Sequence, residues 1–161
     1  MIILIDNRER FPYLFDIGSG YEVSLERATL PVGDYSLPGF EDRIAIERKE
    51  LNDLIGCLMG SNRIRFEREL ARGRAYDFFA VVVEANLSQV WTGDYRSEMR
   101  PQSALQSLAA FQVRYRVPFI WAGNRAGAEY MTHAFLAKYL REISERFKTA
   151  TAEQSDRKMA A

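Results

Sequence analysis

The chain has 161 residues, of which 47% are hydrophobic and 27% are charged, so it can bury a core and does not have a disordered protein's composition. Its 22 Lys and Arg residues balance its 22 Asp and Glu residues, so net charge does not indicate a polyanionic partner, although a local basic patch would still allow one. The single cysteine excludes an internal disulfide, and one cysteine with one histidine argues against a zinc centre.

The N-terminal segment MIILIDNRER reaches an acidic residue at position 6. This apolar run is too short for a signal peptide or a membrane span. We therefore expect a cytoplasmic protein that is not embedded in a membrane. Any bound metal should be a hard cation held by carboxylates.

The first fifty residues contain the patterns of four strands. MIILI is a short apolar run and YEVSLERATL alternates polar and apolar residues, so both predict strands. PVGDYSLPGFED, with two prolines and two glycines, predicts turns around a short strand, and RIAIERK predicts the next strand. We expect these strands to follow one another as a meander.

The rest of the chain alternates helices and strands. ELNDLIGCLMG and SNRIRFERELARGRAY predict helices joined or kinked near Gly60, and DFFAVVVEA predicts a central strand covered on both faces. PQSALQSLAAFQVRYRV predicts a helix, PFIWAG a last strand, and NRAGAEYMTHAFLAKYLREISERF a long helix. The order predicts an α/β domain over residues 1–148, with a central mixed β-sheet flanked by helices. Residues 149–161 are polar and are expected to be a disordered tail.

The strand IAIERK ends in three charged residues. Alternation places Glu47 and Lys49 on one face of the sheet and Arg48 on the other. Asp34 lies in the turn before this strand, and Asp53 lies in the first turns of the helix after it. By itself the charged strand end is equally consistent with a solvated terminus, but the two aspartates in register favour a site.

A further acidic segment, DNRE, follows the first strand. If the strands are neighbours, five acidic residues converge on Lys49, namely Asp6, Glu9, Asp34, Glu47 and Asp53. Crowded carboxylates repel one another and raise their pKa values, and a divalent cation removes that repulsion. Mg²⁺ prefers oxygen ligands, acidifies bound water and screens charge on phosphate. The cluster therefore predicts a metal-dependent phosphodiesterase.

Several motifs resemble a known family. Gly33–Asp34, Glu47–Lys49 and Asp53 form the pattern G-D-xn-E-R-K-x3-D, and DNRE is similar to a D-x-R-E motif. With LPVGD and SNRIRFEREL, they resemble the nuclease domain of the XPF family of structure-selective DNA endonucleases. The motifs cover residues 2–72, and the later element order agrees through about residue 147. The resemblance implies a restriction-endonuclease-like fold.

The resemblance also implies an activity and a site. It implies Mg²⁺- or Mn²⁺-dependent hydrolysis of DNA at branched, flapped or otherwise structured sites in repair or recombination. The implied metal ligands are Asp34, Glu47, Asp6, Glu9 and the backbone carbonyl of Arg48. The implied catalytic residues are Asp34, Glu47, Lys49, Asp53 and Arg8, and Arg8 would also grip phosphate.

Two features depart from the family. Its members usually carry a tandem helix–hairpin–helix module after the nuclease domain, for which these residues leave no room, so a partner protein would supply DNA binding or the chain is a compact stand-alone member. The family often has glutamine where this chain has Glu69.

Basic residues outside the motifs have two interpretations. Arg65, Arg68 and Arg72 share one side of a helix and would follow a DNA backbone, or they form a solvated face balanced by Glu67 and Glu69. Arg96 and Arg100, in a loop with Tyr95, would also contact nucleic acid, although plain loop surface is the default. Trp91 and Trp121 are expected in the core or at an interface.

The last helix predicts a partner. Its apolar residues recur at helical spacing but spread beyond one narrow stripe, which indicates an interface as well as a sheet-facing side: Phe135, Leu136, Tyr139, Leu140, Ile143 and Phe147. Family nuclease domains dimerise through this region, so a homodimer is expected.

Two other functions remain open. One is a catalytically idle nuclease-like module that binds DNA or a partner. The other is a resolvase or restriction-type nuclease of the same broad fold. Idle copies usually lose the acids or the lysine, and this chain keeps Asp34, Glu47, Lys49 and Asp53.

Overall fold

Within residues 1–16 and 22–159, which the computed structural model describes, the chain forms six strands and five helices. The strands are β1 (Ile2–Asp6), β2 (Ser24–Ala28), β3 (Tyr35–Ser36), β4 (Ile44–Lys49), β5 (Phe78–Val83) and β6 (Phe119–Trp121). The helices are α1 (Leu51–Gly56), α2 (Gly60–Gly73), α3 (Leu87–Thr92), α4 (Pro101–Tyr115) and α5 (Arg125–Met159).

The strands form one mixed sheet in the order β2-β1-β3-β4-β5-β6. β3 is antiparallel to both β1 and β4, whereas β4, β5 and β6 are parallel. The predicted mixed sheet is confirmed, but the predicted meander is wrong because β2 pairs with β1 in parallel. A parallel pair needs a connection of about a dozen residues or more. The long segment between β1 and β2 supplies it, which the pattern of successive strands did not reveal.

The connection from β2 to β3 crosses the end of β1. β2 and β3 flank β1 on opposite sides, so the chain must pass over the carboxyl end of β1 between Ala28 and Tyr35. The backbone N–H of Asp6 donates to the carbonyl of Asp34 at 2.8 Å, and the N–H of Asp34 donates to the carbonyl of Ile46 at 2.9 Å. These bonds fix Asp34 between the ends of β1 and β4.

Hydrophobic cores lie on both faces of the sheet. Ala45, Val81 and Val83 face α1 to α4, with buried side chains that include Phe66, Leu70 and Phe111. Ile44, Ile46 and Val82 face α5, with Leu136 buried against them. The alternation predicted for β4 and the two-sided covering predicted for β5 are therefore confirmed.

Helix boundaries follow local signals in most places. α1 ends at Gly56 and α2 begins at Gly60, as the break near Gly60 predicts, and Pro101 opens α4 where its missing N–H costs nothing. α3 was not predicted. It is held at its start by the Asn86 N–H, which donates to Gln89 Oε1 at 3.0 Å, and it ends at Gly93 with a left-handed φ of 75°.

The last helix is longer than its contact with the sheet. α5 has 35 residues, a length of about 50 Å, and its apolar side packs on the sheet as far as Leu140. It continues through most of the segment expected to be a disordered tail, of which residues 160–161 lie outside the described part of the chain. No helix in the described residues is long and apolar enough to cross a membrane.

Gly73 and Gly56 form a matched pair for a stability test. A Cβ at Gly73 would lie 2.1 Å from Cδ1 of the buried Phe79 ring, whereas a Cβ at Gly56 would meet nothing within 4 Å. Because overpacking strains a core, we expect Gly73→Ala to lower the free energy of unfolding by about 1–3 kcal/mol. Gly56→Ala should change it by less than about 1 kcal/mol. Urea denaturation measures both, and equal stability of the two variants would contradict the packing described for α2.

Candidate active site

Charged residues from four strands meet at one edge of the sheet, which is the edge formed by the carboxyl ends of β1, β4 and β5 and not by an outer strand. Because β1, β4 and β5 run in one direction and β3 runs in the other, Asp34 at the start of β3 lies beside the carboxyl ends of the other three. That edge carries Asp6, Glu47 to Lys49, and Glu84. The predicted convergence of strand ends is present, and the face of the sheet separates these residues into two groups.

On the face towards α2, Lys49 lies between carboxylates. Its ammonium donates to Glu47 Oε1, and Nζ is 5.3 Å from the centre of the Phe66 ring. Glu47 is buried. Although burial opposes its charge, Glu47 and Asp34 hold the pKa of Lys49 above its ordinary value. The acids around Lys49 therefore favour its ammonium form.

Asp34 contacts this group from the turn before β3. Its Oδ2 accepts the backbone N–H of Arg48 at 2.8 Å, which ties the turn to β4. Burial and the charge of Glu47 raise the pKa of Asp34 well above its ordinary range, and the ammonium of Lys49 opposes that rise without cancelling it. The two carboxylates thus repel each other at close range.

Glu69 on α2 is a third carboxylate in this group, and the sequence analysis did not assign it to the site. It lies against the Glu47 carboxyl and the backbone N–H of Gly33. Burial, followed by the charge of Glu47, raises the pKa of Glu69 to about 7. The spacing of buried Phe66, Leu70 and Gly73 could have identified it, because residue 69 lies on the same inward stripe of the helix.

Asp6 and Arg8 have a different arrangement from the predicted one. Both oxygens of the buried Asp6 are occupied by N–H donors, from the Arg8 backbone and guanidinium and from Leu30, at 2.6–3.0 Å. Burial alone would raise the pKa of Asp6, but these bonds lower it. We therefore remove Asp6 from the candidate metal ligands. The Arg8 side chain is 72% exposed and acts electrostatically on Glu69 and Asp34 from the rim of the site.

The opposite face of the same edge contains a balanced ion network. Arg48 binds Glu84 through two hydrogen bonds of 2.7 and 3.1 Å, and its Nη1 is 3.5 Å from Glu9. Glu84 also accepts hydrogen bonds from Tyr13 and Arg125. Arg48 pairs with a buried acid, as its position in β4 predicts. Glu9 faces this network, on the other side of the sheet from Glu47, so we also remove it from the candidate metal ligands.

The remaining candidates lie further out. Asp53 is exposed on α1, and its charge reaches the half-buried Cys57. Arg65, Arg68 and Arg72 are exposed on α2, whose inner side supplies Glu69. Both interpretations of these arginines remain open.

The carboxylates of Asp34 and Glu47 are oxygen donors that suit a hard cation, but they do not form a complete cage. In residues 1–16 and 22–159, no three His, Cys, Asp or Glu side chains form a ready metal cage. Mg²⁺ commonly takes one or two carboxylates and keeps several waters, so Asp34 and Glu47 are a sufficient pair. Burial, followed by the charge of Glu47, raises the pKa of Asp34 although the ammonium of Lys49 opposes the rise. A cation would relieve that repulsion.

Comparisons with known proteins identify the family. The ERCC4 domain model matches residues 5–135. No curated protein matches the chain in sequence. XPF from Aeropyrum pernix has a similar structure, with a TM-score of 0.67, 20% identity and coverage of 92% of this chain and 69% of that chain. XPF from Aeropyrum pernix in complex with DNA has a TM-score of 0.66, 22% identity and coverage of 88% and 66%.

The two structural matches, at these identities, show the fold, and this chain spans about two thirds of the length of each. The six-stranded mixed sheet with helices on both faces is the fold of XPF. The family model covers most of the chain, including every strand end that contributes to the site. The resemblance found in the sequence is therefore confirmed, and the chain belongs to the ERCC4 domain family.

Proposed function

We propose that the chain is a divalent-metal-dependent DNA endonuclease that hydrolyses phosphodiester bonds at branched, flapped or otherwise structured DNA, in repair or recombination inside the cell. The observation that carries this proposal is the buried Lys49–Glu47 ion pair, with Asp34 and Glu69 close enough to act on Glu47 electrostatically, in an ERCC4 domain. A structural role does not call for three crowded carboxylates with one ammonium, whereas phosphate hydrolysis does. DNA is favoured as the substrate because a structurally similar XPF was solved in complex with DNA.

Asp34, Glu47 and the backbone carbonyl of Arg48 would hold Mg²⁺ or Mn²⁺. Such an ion, when bound, would acidify an attacking water and screen the charge that develops on the phosphate. Burial and the charge of Glu47 act together on Asp34, and only one ammonium, from Lys49, opposes them, which supports this assignment.

Lys49 and Arg8 would act on the phosphate from two directions. The ammonium of Lys49 is held by Glu47 and would donate a hydrogen bond to a phosphate oxygen or to the attacking water. Arg8 presents an exposed guanidinium whose Nε and Nη2 are anchored on Asp6, so it would bind a neighbouring phosphate with little loss of side-chain freedom. Asp53 would be an auxiliary acid at the outer edge, and Arg65, Arg68 and Arg72 would contact the DNA backbone.

Glu69 would position Glu47. It is anchored on the Gly33 N–H and contacts the Glu47 carboxyl, so its protonation changes the charge that Glu47 faces. A cation bound at Glu47 would displace that proton, because both compensate the same negative charge.

The alternative is a catalytically idle module that binds DNA or a partner protein. Asp34, Glu47 and Lys49 are all present, with Lys49 bound to Glu47 and Asp34 within electrostatic reach of both, which favours the enzyme. A partner that supplies further DNA binding is compatible with either function.

The homodimer would form through α5. A groove of about 430 Å³ lies between the start of β5 and α5, with apolar Phe78, Phe135 and Ile143 beside charged residues of both signs. Two basic and two acidic residues line the groove, namely Lys138, Arg146, Asp77 and Glu142, so a second copy related by a two-fold axis would find complementary charges. Phe147, one turn beyond Ile143, is 70% exposed and would extend the contact.

A cleavage assay tests the activity. Labelled duplex, single-stranded, flapped and branched DNA would be incubated with Mg²⁺ or Mn²⁺. We expect cleavage that needs the metal and falls by more than about 100-fold in Asp34→Asn, because that variant loses a ligand charge. Glu26→Gln, an exposed change on the edge strand β2, is the control and should cleave like the wild type. Binding without cleavage, unchanged in Asp34→Asn, would instead support the idle module.

The pH dependence of metal-free stability tests Glu69. The pKa of Glu69 is about 7 in the folded chain against an ordinary value of 4.5. Between these pH values the folded chain keeps a proton on Glu69 that the unfolded chain has lost. Its contribution to stability is therefore lost as pH rises from about 5 to 7. We expect the melting temperature of Glu69→Gln, relative to the wild type, to increase across that window.

Calorimetry in a chelating buffer measures that difference, with Glu67→Gln on the outer side of the same helix as the control. Glu67 faces Arg63 and Arg114 instead of carboxylates, so its variant should show no such increase. Parallel wild-type and Glu69→Gln profiles would contradict the crowding of Glu69 and Glu47.

Sedimentation tests the dimer. We expect Ile143→Glu to convert a dimer to a monomer, because it replaces an apolar contact in the groove with a charge that would have to be desolvated. Val113→Glu, at an 82% exposed position on α4, is the control and should remain dimeric. A wild-type chain that is monomeric at every concentration measured would contradict the interface.

A further inference from the structure

Trp91 has an unusual position for a tryptophan on a short helix. Its side chain is 72% exposed, whereas Val90 beside it is fully buried and anchors α3 to the core. The sequence analysis expected Trp91 in the core or at an interface. An exposed indole of this size has a large apolar surface available to a ligand.

The backbone that carries Trp91 is fixed by hydrogen bonds at both ends of α3. The Asn86 N–H donates to Gln89 at the start of α3, and the Asp94 N–H donates to the Gln89 carbonyl at 2.8 Å after its end. Gly93 turns the chain there and packs against Pro101 of α4. Because the backbone is fixed, only the side-chain torsions of Trp91 have to be ordered when a ligand stacks on it, so more of the contact energy remains for binding.

The surface beside Trp91 matches the chemistry of a nucleobase. A depression of about 540 Å³ is lined by Trp91, Pro101, Gln102, Leu105 and Gln106. Gln102 and Gln106 are one helical turn apart on α4, and both are exposed. An amide both donates and accepts hydrogen bonds, as the edge of a base does, while the indole offers a flat face for stacking. The lining contains no acidic residue that would repel a nucleic acid.

Helix α3, which carries Trp91, begins near the candidate active site. α3 follows the end of β5 after three residues, at the edge that carries Glu47 and Lys49. The loop after α3 returns to α1, where the Arg96 N–H donates to Asn52 Oδ1 at 2.9 Å. Arg96 and Arg100 are exposed in this loop, but Asp94 and Glu98 alternate with them. Stacking, and not net charge, is therefore the main attraction at this site.

We propose that Trp91, with Gln102 and Gln106, forms a stacking site for an unpaired base of single-stranded DNA. This rests on the proposed function, which it deepens by assigning a place for the single-stranded arm of a flapped or branched substrate. Double-stranded DNA would not use the site, because its bases present no free face.

Tryptophan fluorescence and anisotropy test the site in the full chain without metal. A thymidine oligonucleotide should quench the emission of the wild type and of Trp121→Phe, but not that of Trp91→Phe. By anisotropy, Trp91→Ala should bind the labelled oligonucleotide about 5- to 150-fold more weakly, the range expected for one lost stacking contact. Val113→Ala, at an exposed apolar position on α4, is the control and should bind like the wild type.

Three outcomes would overturn the proposal. The first is unchanged binding by Trp91→Ala. The second is the absence of Trp91 quenching. The third is quenching that depends on protein concentration without DNA, which would assign the surface to a protein contact. Failure of the proposed nuclease is distinguished by metal-dependent cleavage of the flapped and branched substrates, because its loss in Asp34→Asn is measured independently of oligonucleotide binding by Trp91→Ala.

Discussion

The buried carboxylate of Asp6 is the interaction on which the geometry of the site depends. It accepts hydrogen bonds from Arg8 and from the Leu30 N–H, and so fastens the chain where it crosses the end of β1. That crossing delivers Asp34 to the space between β1 and β4. Without this carboxylate, the Leu30 donor would be left unsatisfied at a cost of about 1–3 kcal/mol, and the turn before Asp34 would lose its anchor. Asp6 therefore acts on the site through position and not through contact with it.

The two faces of the same sheet edge differ in charge balance. On the face of Arg48, two guanidinium groups, from Arg48 and Arg125, contact Glu9 and Glu84, and the fork of Arg48 matches one carboxylate at both oxygens. On the face of Lys49, a single ammonium pairs with Glu47, and the carboxylates of Asp34 and Glu69 both feel the charge of Glu47. The first face is neutralised by its own residues and is structural. The second has three carboxylates near one ammonium, a charge that a cation or a proton would compensate, and this difference is why we place the proposed chemistry on that face.

Helices α2 and α3 connect this chemistry to the surface. α2 turns Glu69 inwards to the carboxylates and presents Arg65, Arg68 and Arg72 outwards. One helix therefore carries both a residue of the site and three exposed arginines. α3 begins just beyond the same sheet edge and presents Trp91 to solvent while Val90 holds it in the core. Both helices pack on the face of the sheet that carries Lys49. The face to which we assign the proposed chemistry is therefore also the one with exposed groups suited to a polyanion with aromatic bases.

The sequence by itself determined what depends on short-range pattern. The alternation of β4 separates Glu47 and Lys49 from Arg48, apolar runs locate β1 and β5, and the spacing of Asp34, Glu47, Lys49 and Asp53 identifies the family. These features follow from side-chain period and motif spacing, which the chain carries locally. Tertiary structure decided which carboxylates share a space. Glu69 joins the site because α2 docks with that side inwards, and Asp6 accepts the Leu30 N–H because β2 pairs in parallel with β1 and sends the chain across its end. Glu9 contacts Arg48 of β4. The physical reason is that burial and electrostatic repulsion depend on distances between segments far apart in sequence, and strand order and helix docking set those distances.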